Sequence, residues 1–167
     1  MALIANRGPQ PARNPLVRKE KSALKIRNLL DKKGREVVTV PPSLPVPDVA
    51  RLLVEHNLGS VVVLQEGVVQ GIFTERDILR LVARDSASLE KTKVEEVMTR
   101  DVIVGLPADS LDYVIEIMTR NRIRHLPVVD DGWLEGILSV GDVLDALRKN
   151  VQAENRYMLD YIQGKVF

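Results

Sequence analysis

Two short stretches carry the residues best suited to recognising a polar small molecule. Thr74-Glu75-Arg76-Asp77 and Ser139-Val140-Gly141-Asp142 each place a hydroxyl three residues before a carboxylate, where an apolar run gives way to helical spacing. One chemistry for this pattern is a helix cap, in which the hydroxyl accepts an amide proton from the third helical position and the acid complements the helix dipole. The other uses the same placement. A carboxylate exposed at a first turn can accept hydrogen bonds from both hydroxyls of a cis-diol such as ribose, beside an N-terminus that favours anions. Arg122, Arg124 and His125 form a third cluster of three potential cations. On an extended segment Arg122 and Arg124 share a face while His125 points the other way. That cluster is either a solvated charged edge or a phosphate clamp, for which planar guanidinium forks are well suited. No nucleophile accompanies His125, so it reads as a hydrogen-bond partner of phosphate or backbone, and no catalytic residue is assigned.

Composition removes many alternatives. In 167 residues, 45% hydrophobic and 28% charged describe a globular chain, long enough for one domain or two small modules that share a core. With no Cys and only His56 and His125 as imidazoles, there is no disulfide framework, no thiolate metal site and little material for a histidine metal centre. Aromatic residues are 4%, so the core falls to Val, Leu and Ile. The most apolar stretch, Val61-Val62-Val63-Leu64, is too short to span a bilayer, and the chain is expected to be soluble. The formal net charge of +1 is uneven: seven basic residues and only Glu20 as an acid fall in the first 27 positions, leaving 17 bases against 22 acids beyond. Pro9, Pro11 and Pro15 mark residues 1–23 as a solvated basic leader. A cytoplasmic address is expected in preference to an organelle transit peptide.

An internal repeat organises the remainder. Gly71-Ile72-Phe73-Thr74-Glu75-Arg76-Asp77 aligns with Gly136-Ile137-Leu138-Ser139-Val140-Gly141-Asp142 at an offset of 65 residues. The same register superposes Pro42 on Pro107, Val49 on Val114, Val63 on Val128, Gly67 on Gly132 and Leu79 on Leu144. Upstream, Ile26, Leu29 and Leu30 match Val94, Val97 and Met98 once an insertion around Lys32 to Arg35 is allowed. Each copy reads as a short β-branched strand (Val37 to Val40; Val102 to Val104), a helix, a hairpin turning at Glu66-Gly67 or Asp131-Gly132, and a second helix. One such unit of about 60 residues is too small to be comfortable alone. The expectation is therefore an α+β fold of two β-α-β-β-α repeats packed sheet to sheet about a pseudo-two-fold axis. The chain divides into residues 24–85 as the first repeat, 92–148 as the second, and 149–167 as a helical tail.

These features together resemble a tandem pair of cystathionine β-synthase (CBS) domains. The resemblance rests on the Gly-apolar-apolar-Thr/Ser-x-x-Asp motif in both copies, Val94-Glu95-Glu96-Val97-Met98-Thr99, and Asn121-Arg122-Ile123-Arg124-His125-Leu126-Pro127-Val128-Val129. It implies a stand-alone regulatory module that binds adenosine nucleotides, AMP, ADP or ATP, and is not an enzyme. NAD(H) and S-adenosylmethionine are alternatives. Carried over from the family, one site combines Thr74 and Asp77 with Ile103, Val104, Arg124 and His125, with Arg122 in the same basic cluster. The other combines Ser139 and Asp142 with Val38, Thr39, Leu58 and Ser60. The first-copy positions matching the basic cluster are Asn57, Gly59 and Ser60, so any phosphate clamp is asymmetric.

The polar stretch Gln152 to Arg156 interrupts an apolar stripe that resumes at Tyr157, Met158, Tyr161 and Ile162. This tail either packs on its own body or meets another chain, and a homodimer that signals to an unidentified regulated protein is expected. The competing class is an interaction protein whose nucleotide clefts are vestigial. Nucleic acid is disfavoured by the acidic body and the lack of an aromatic stacking platform.

Overall fold

A computed structural model of the chain describes residues 24–163. The leader expected at 1–23 and the end of the tail at 164–167 lie outside the described residues. The elements follow in the order α1 (Ile26–Lys33), β1 (Thr39–Val40), α2 (Val46–Glu55), β2 (Ser60–Gln65), β3 (Val68–Thr74), α3 (Glu75–Asp85), a 3-10 segment (Ser86–Lys91), α4 (Val94–Val97), α5 (Leu111–Asn121), β4 (His125–Asp130), β5 (Trp133–Ser139) and α6 (Val140–Ile162). This is the α+β arrangement that the repeat demands.

The two hairpins are near copies. β2 pairs antiparallel with β3 and β4 with β5, and each ladder slips at the same place, between Val63 and Leu64 and between Val128 and Val129. Both turns place two successive residues at positive φ, Glu66 and Gly67 in one and Asp131 and Gly132 in the other. Such a pair of left-handed residues matches the twist of the flanking strands. The ends of α2 and α5 are also duplicated. Asn57 and Arg122 sit in the left-handed region, and the next amides, Leu58 and Ile123, donate to Leu53 and Met118 carbonyls at 2.8 and 3.0 Å.

The first strands differ. β1 runs parallel to β2, with Thr39 opposite Val62 and Val40 opposite Val63. No strand forms over Val102 to Val104, contrary to the sequence expectation; an isolated bridge between Gly105 and Val128 takes its place. The cause is Pro127. Its counterpart Val62 donates its amide to the Val38 carbonyl, and proline has no amide to give.

Two cores result, and each is completed by the other repeat. Val40, Val46, Val49, Leu53, Val61, Val63, Phe73 and Leu81 from the first repeat bury against Val94 and Met98, on and just beyond α4. Leu111, Val114, Met118, Leu126, Val128, Leu138 and Val143 from the second bury against Ile26 and Leu30 of α1. Backbone bonds fix this exchange symmetrically: Ile26 N–H donates to Asp109 and Leu111 N–H to Leu24, while Val94 N–H donates to Leu44 and Val46 N–H to Thr92. Glycine makes room for it. A Cβ at Gly136 would stand 2.7 Å from Leu30, and one at Gly71 would meet Met98 at 2.6 Å and the Thr99 carbonyl oxygen at 2.9 Å.

The exchange predicts a difference between equivalent substitutions. At Gly136 the obstacle is the end of a flexible leucine, whereas at Gly71 it includes backbone that cannot rotate away. Gly71→Ala is therefore expected to destabilise by about 1–3 kcal/mol, and Gly136→Ala by less. Urea denaturation of the two variants checks the order; equal and negligible effects would show that the opening helices do not dock as described.

Candidate functional site

Both carboxylates of the duplicated motif are held by their own caps. Thr74 and Ser139 end their strands with extended backbone and begin α3 and α6. Asp77 Oδ2 accepts from Thr74 N–H at 2.9 Å and Thr74 Oγ1 at 2.7 Å; Asp142 Oδ2 accepts from Ser139 N–H at 2.8 Å and Ser139 Oγ at 2.7 Å. At the second cap Ser139 Oγ also accepts the Asp142 amide at 3.1 Å, which closes the reciprocal box. The cap therefore exists in both copies. It uses Oδ2 of each aspartate and leaves Oδ1 outside the cap bonds.

Their surroundings differ. Asp77 is 5% exposed and borders a cleft of about 280 Å³ lined also by Arg80, Leu81, Arg84, Glu96, Val97 and Thr99. Arg80 Nη1 reaches Asp77 Oδ1 at 3.2 Å from one turn further along α3. The opening segment of the second repeat arrives here because Thr99 exchanges two backbone bonds of 3.0 Å with Ile72 on β3. Asp142 has a cation from elsewhere: Lys33 Nζ, at the end of α1, donates to Asp142 Oδ2 at 2.5 Å and to the Ile137 carbonyl at 2.9 Å. Burial pushes the Asp142 carboxyl up, but the bonds from Lys33 and Ser139 outweigh it and hold the group below the ordinary carboxylate range.

The segments that open β2 and β4 meet between the two halves. His125 lies opposite Ser139 across its own hairpin, as Ser60 lies opposite Thr74. The His125 ring also packs on Gly59, where a Cβ would come within 3.0 Å of it, and the Glu75 carboxylate borders the same point. Burial, with Arg124 and Lys33 nearby, holds the imidazole below its ordinary value against the opposing pull of Glu75 and Asp142. The Arg124 carbonyl accepts from Val140 N–H at 2.9 Å, while its exposed guanidinium has no hydrogen-bond or ion-pair partner among the described residues. Arg122 is not on an extended segment as the sequence suggested; it is the left-handed cap of α5, and its carbonyl accepts a bond from Arg76 of the first repeat at 3.4 Å. Val38, Leu58 and Ile103 are half-buried, Thr39 and Val104 exposed, and Ser60 buried.

The structure thus joins Thr74 to Asp77 and Ser139 to Asp142. Among the described residues, no hydrogen bond links Asp77 to Arg124 or His125, nor Asp142 to Leu58 or Ser60. Three cations beside the two aspartates or their surroundings escaped the sequence reading. Arg80 and Arg84 lie three and seven residues after Asp77, a helical spacing that was available as a signal. Lys33 lies in the insertion, where the repeat register gives no guide.

His125 and Asp142 both make stability fall with acid, in separate windows. Each has a folded-state value below its unfolded one, so the unfolded chain binds more protons between the two and stability rises with pH there. For His125 the loss begins as pH drops below about 6.5, and for Asp142 below about 4. Urea denaturation at about pH 7.5 and about pH 5.5 is expected to show a decline in the wild type that His125→Gln reduces. An undiminished decline would contradict the half-buried, acid-resistant imidazole.

Comparison with known proteins agrees with this geometry. The CBS domain family model matches twice, at residues 27–84 and 94–149. YhcV of Bacillus subtilis is 38% identical over 109 residues, covering 65% of this chain and 76% of that protein. The mitochondrial CBS domain-containing protein CBSX3 of Arabidopsis thaliana is 37% identical over 124 residues, covering 71% of this chain but only 60% of the plant protein. Among solved structures, the CBS-domain containing protein ATU1752 of Agrobacterium tumefaciens superposes with a TM-score of 0.71 at 44% identity, over 73% of this chain and 98% of that one. The CBS domain pair of protein MJ0100, solved with 5-methylthioadenosine and S-adenosyl-L-methionine, gives 0.68 at 26% identity over 77% of this chain and 98% of its own. Two matched repeats, exchanged opening helices and duplicated hydroxyl-carboxylate caps make this chain a member of the CBS domain family, in the form of a tandem pair.

Proposed function

We propose that the chain is a regulatory module, not an enzyme, that senses adenosine nucleotides of the AMP, ADP and ATP class and passes their occupancy to a partner protein in the cytoplasm. The observation that carries this reading is the duplicated carboxylate. Asp77 and Asp142 are each fixed at the first turn of a helix by a cap that leaves one oxygen uncommitted to it. A ribose cis-diol can satisfy such an oxygen, and the helix N-terminus favours the phosphate that follows. Arg124, with its unpaired guanidinium, supplies a phosphate contact to the Asp77 cleft together with His125 and the basic segment around Arg122. Adenine lies against Ile103 and Val104 in one cleft and against Val38, Thr39 and Leu58 in the other, with Ser60 beside Thr74. The methylthioadenosine- and S-adenosylmethionine-bound relative supports an adenosine ligand, and NAD(H) and S-adenosylmethionine belong in any trial.

A second observation favours an interaction surface as well. α6 runs unbroken to Ile162, and Tyr157, Met158, Leu159, Tyr161 and Ile162 on its last turns are exposed. The tail does not fold back on its own body to cover them. We assign this face to a homodimer contact, for which sedimentation at micromolar concentration is expected to show a dimer; a monomer would remove the assignment.

The nucleotide reading is tested by thermal shift with AMP, ADP, ATP, NAD, NADH and S-adenosylmethionine. A ligand present at 100 times its dissociation constant adds roughly 2.7 kcal/mol to the native state. Asp77→Asn and Asp142→Asn are expected to keep the fold and to weaken binding at the altered cleft roughly ten- to hundredfold, the worth of a hydrogen bond to a charged group. Arg124→Ala is expected to weaken AMP and leave adenosine little changed. No response to any ligand, or equal binding by wild type and both aspartate variants, would overturn the reading in favour of a purely protein-binding module.

A further inference from the structure

Asp77 offers its second carboxylate oxygen together with a cation. The cap occupies Oδ2, and Oδ1 accepts from Arg80 Nη1 at 3.2 Å. The Asp77 side chain is 5% exposed and that of Arg80 68%, and the guanidinium has no other hydrogen-bond partner among the described residues. One N–H of its fork is used on Asp77 and the others are uncommitted. Arg84, one turn further along α3, is exposed and has no side-chain partner among the described residues. Asp77, Arg80, Leu81 and Arg84 share one face of the helix and line the cleft together. The facing wall comes from the second repeat, through Val97, Thr99 and Glu96, and the Glu96 carboxylate already accepts the Lys93 amide at 2.8 Å.

The second copy is built differently at this place. At the offset of 65 residues the counterpart of Arg80 is Asp145, an acid engaged by Arg148 at 2.7 Å and Lys149 at 2.6 Å. Lys33, the cation that does reach Asp142, meets Oδ2, the oxygen the cap also uses. A guanidinium on the oxygen outside the cap is therefore a property of the Asp77 cleft.

We propose that the Asp77 cleft recognises an adenosine nucleotide whose ribose carries a phosphate on its 2′ or 3′ oxygen, with Asp77 taking the hydroxyl that stays free and Arg80 and Arg84 taking the phosphate. This rests on the nucleotide-sensing reading and adds the chemical class of ligand to it. A ribose hydroxyl that donates to Asp77 Oδ1 arrives at the atom Arg80 already touches, so the group on the neighbouring ribose carbon comes beside the guanidinium. If that group is a second hydroxyl, it competes with Arg80 for a buried carboxylate and offers the cation only a neutral acceptor in return. If it is a phosphate, Arg80 keeps one N–H on Oδ1 and turns the rest of its fork to the phosphate oxygens, with Arg84 one turn on as a second cation. Arginine forks match phosphate geometry, and such charge-assisted bonds are the stronger kind. Arg80 also stands where it offsets the repulsion between the phosphate and Asp77. The same division, an acid on a ribose hydroxyl and an arginine on a ribose phosphate, separates the two classes of nicotinamide dinucleotide in other folds.

Calorimetric titration of the full chain compares 5′-AMP with adenosine 2′,5′-bisphosphate and adenosine 3′,5′-bisphosphate, each of which differs from AMP by one ribose phosphate. At least one bisphosphate is expected to bind roughly tenfold more tightly than AMP, the lower end for a charged hydrogen bond because both arginines are exposed. The isomer that does so identifies the phosphorylated oxygen. Arg80→Met is expected to bring the ratio to about one and Arg84→Met to reduce it, and added salt to narrow it in the wild type. Thermal melts establish that each variant folds, and Arg80→Gln replaces the methionine variant if that one does not. Wild-type binding of both bisphosphates no tighter than that of AMP, or a preference that the Arg80 variant retains, would overturn the phosphorylated-ribose assignment and leave the nucleotide reading standing. Absence of saturable binding by all three compounds would overturn both.

Discussion

Each half of this molecule is finished by a helix that belongs to the other. α1 closes the second core through Ile26 and Leu30, and α4 with Met98 closes the first through Val94, so neither repeat buries its sheet without its neighbour. Hydrophobic burial of fully enclosed Ile, Leu and Val side chains contributes roughly 1.5–3 kcal/mol each, which is large against the marginal stability of a small domain. The contact is possible only because Gly71 and Gly136 present bare backbone at the middle of β3 and β5. A side chain at Gly71 would meet the Thr99 backbone beyond α4, whereas one at Gly136 would meet only the Leu30 side chain.

The clefts inherit their character from this exchange. The chain that leaves α4 passes beside β3 toward Asp77, and the chain that leaves α1 passes beside β5 toward Asp142. Both carboxylates acquire the same cap from the duplicated motif, but their cations differ: Arg80 of the same helix meets Asp77, and Lys33 at the end of α1 meets Asp142. The His125 ring packs where the two halves meet, against Gly59 and close to Glu75.

Much of this was legible in the sequence, for identifiable reasons. The 65-residue offset aligned turn glycines, strand residues and the two aspartates together, and the structure repeats even the ladder slips at that offset. The hairpins and the caps followed from local chemistry, in which left-handed turns and hydroxyl-carboxylate spacing have few alternatives. The exchange of α1 and α4 was not legible, since an apolar face shows that a helix is buried and not which sheet buries it. Val102 to Val104 has the composition of a strand, yet Pro127, 24 positions beyond Ile103, has no amide to donate to it. Arg122 was misplaced by one element because α5 extends to Asn121 before its left-handed cap. Lys33 could not be assigned a target, since its bond to Asp142 spans 109 residues and lies in the only stretch where the two copies fall out of register.

The central claim is that the capped aspartates are ligand sites and not caps alone. Amide chemical shifts recorded during a titration with AMP address this residue by residue, because the Thr74 and Ser139 amides donate to the very carboxylates that the ribose would engage. Saturable shifts at Thr74 and Asp77, and at Ser139 and Asp142, are the predicted result. Shifts confined to the exposed end of α6, or none at all, would contradict it.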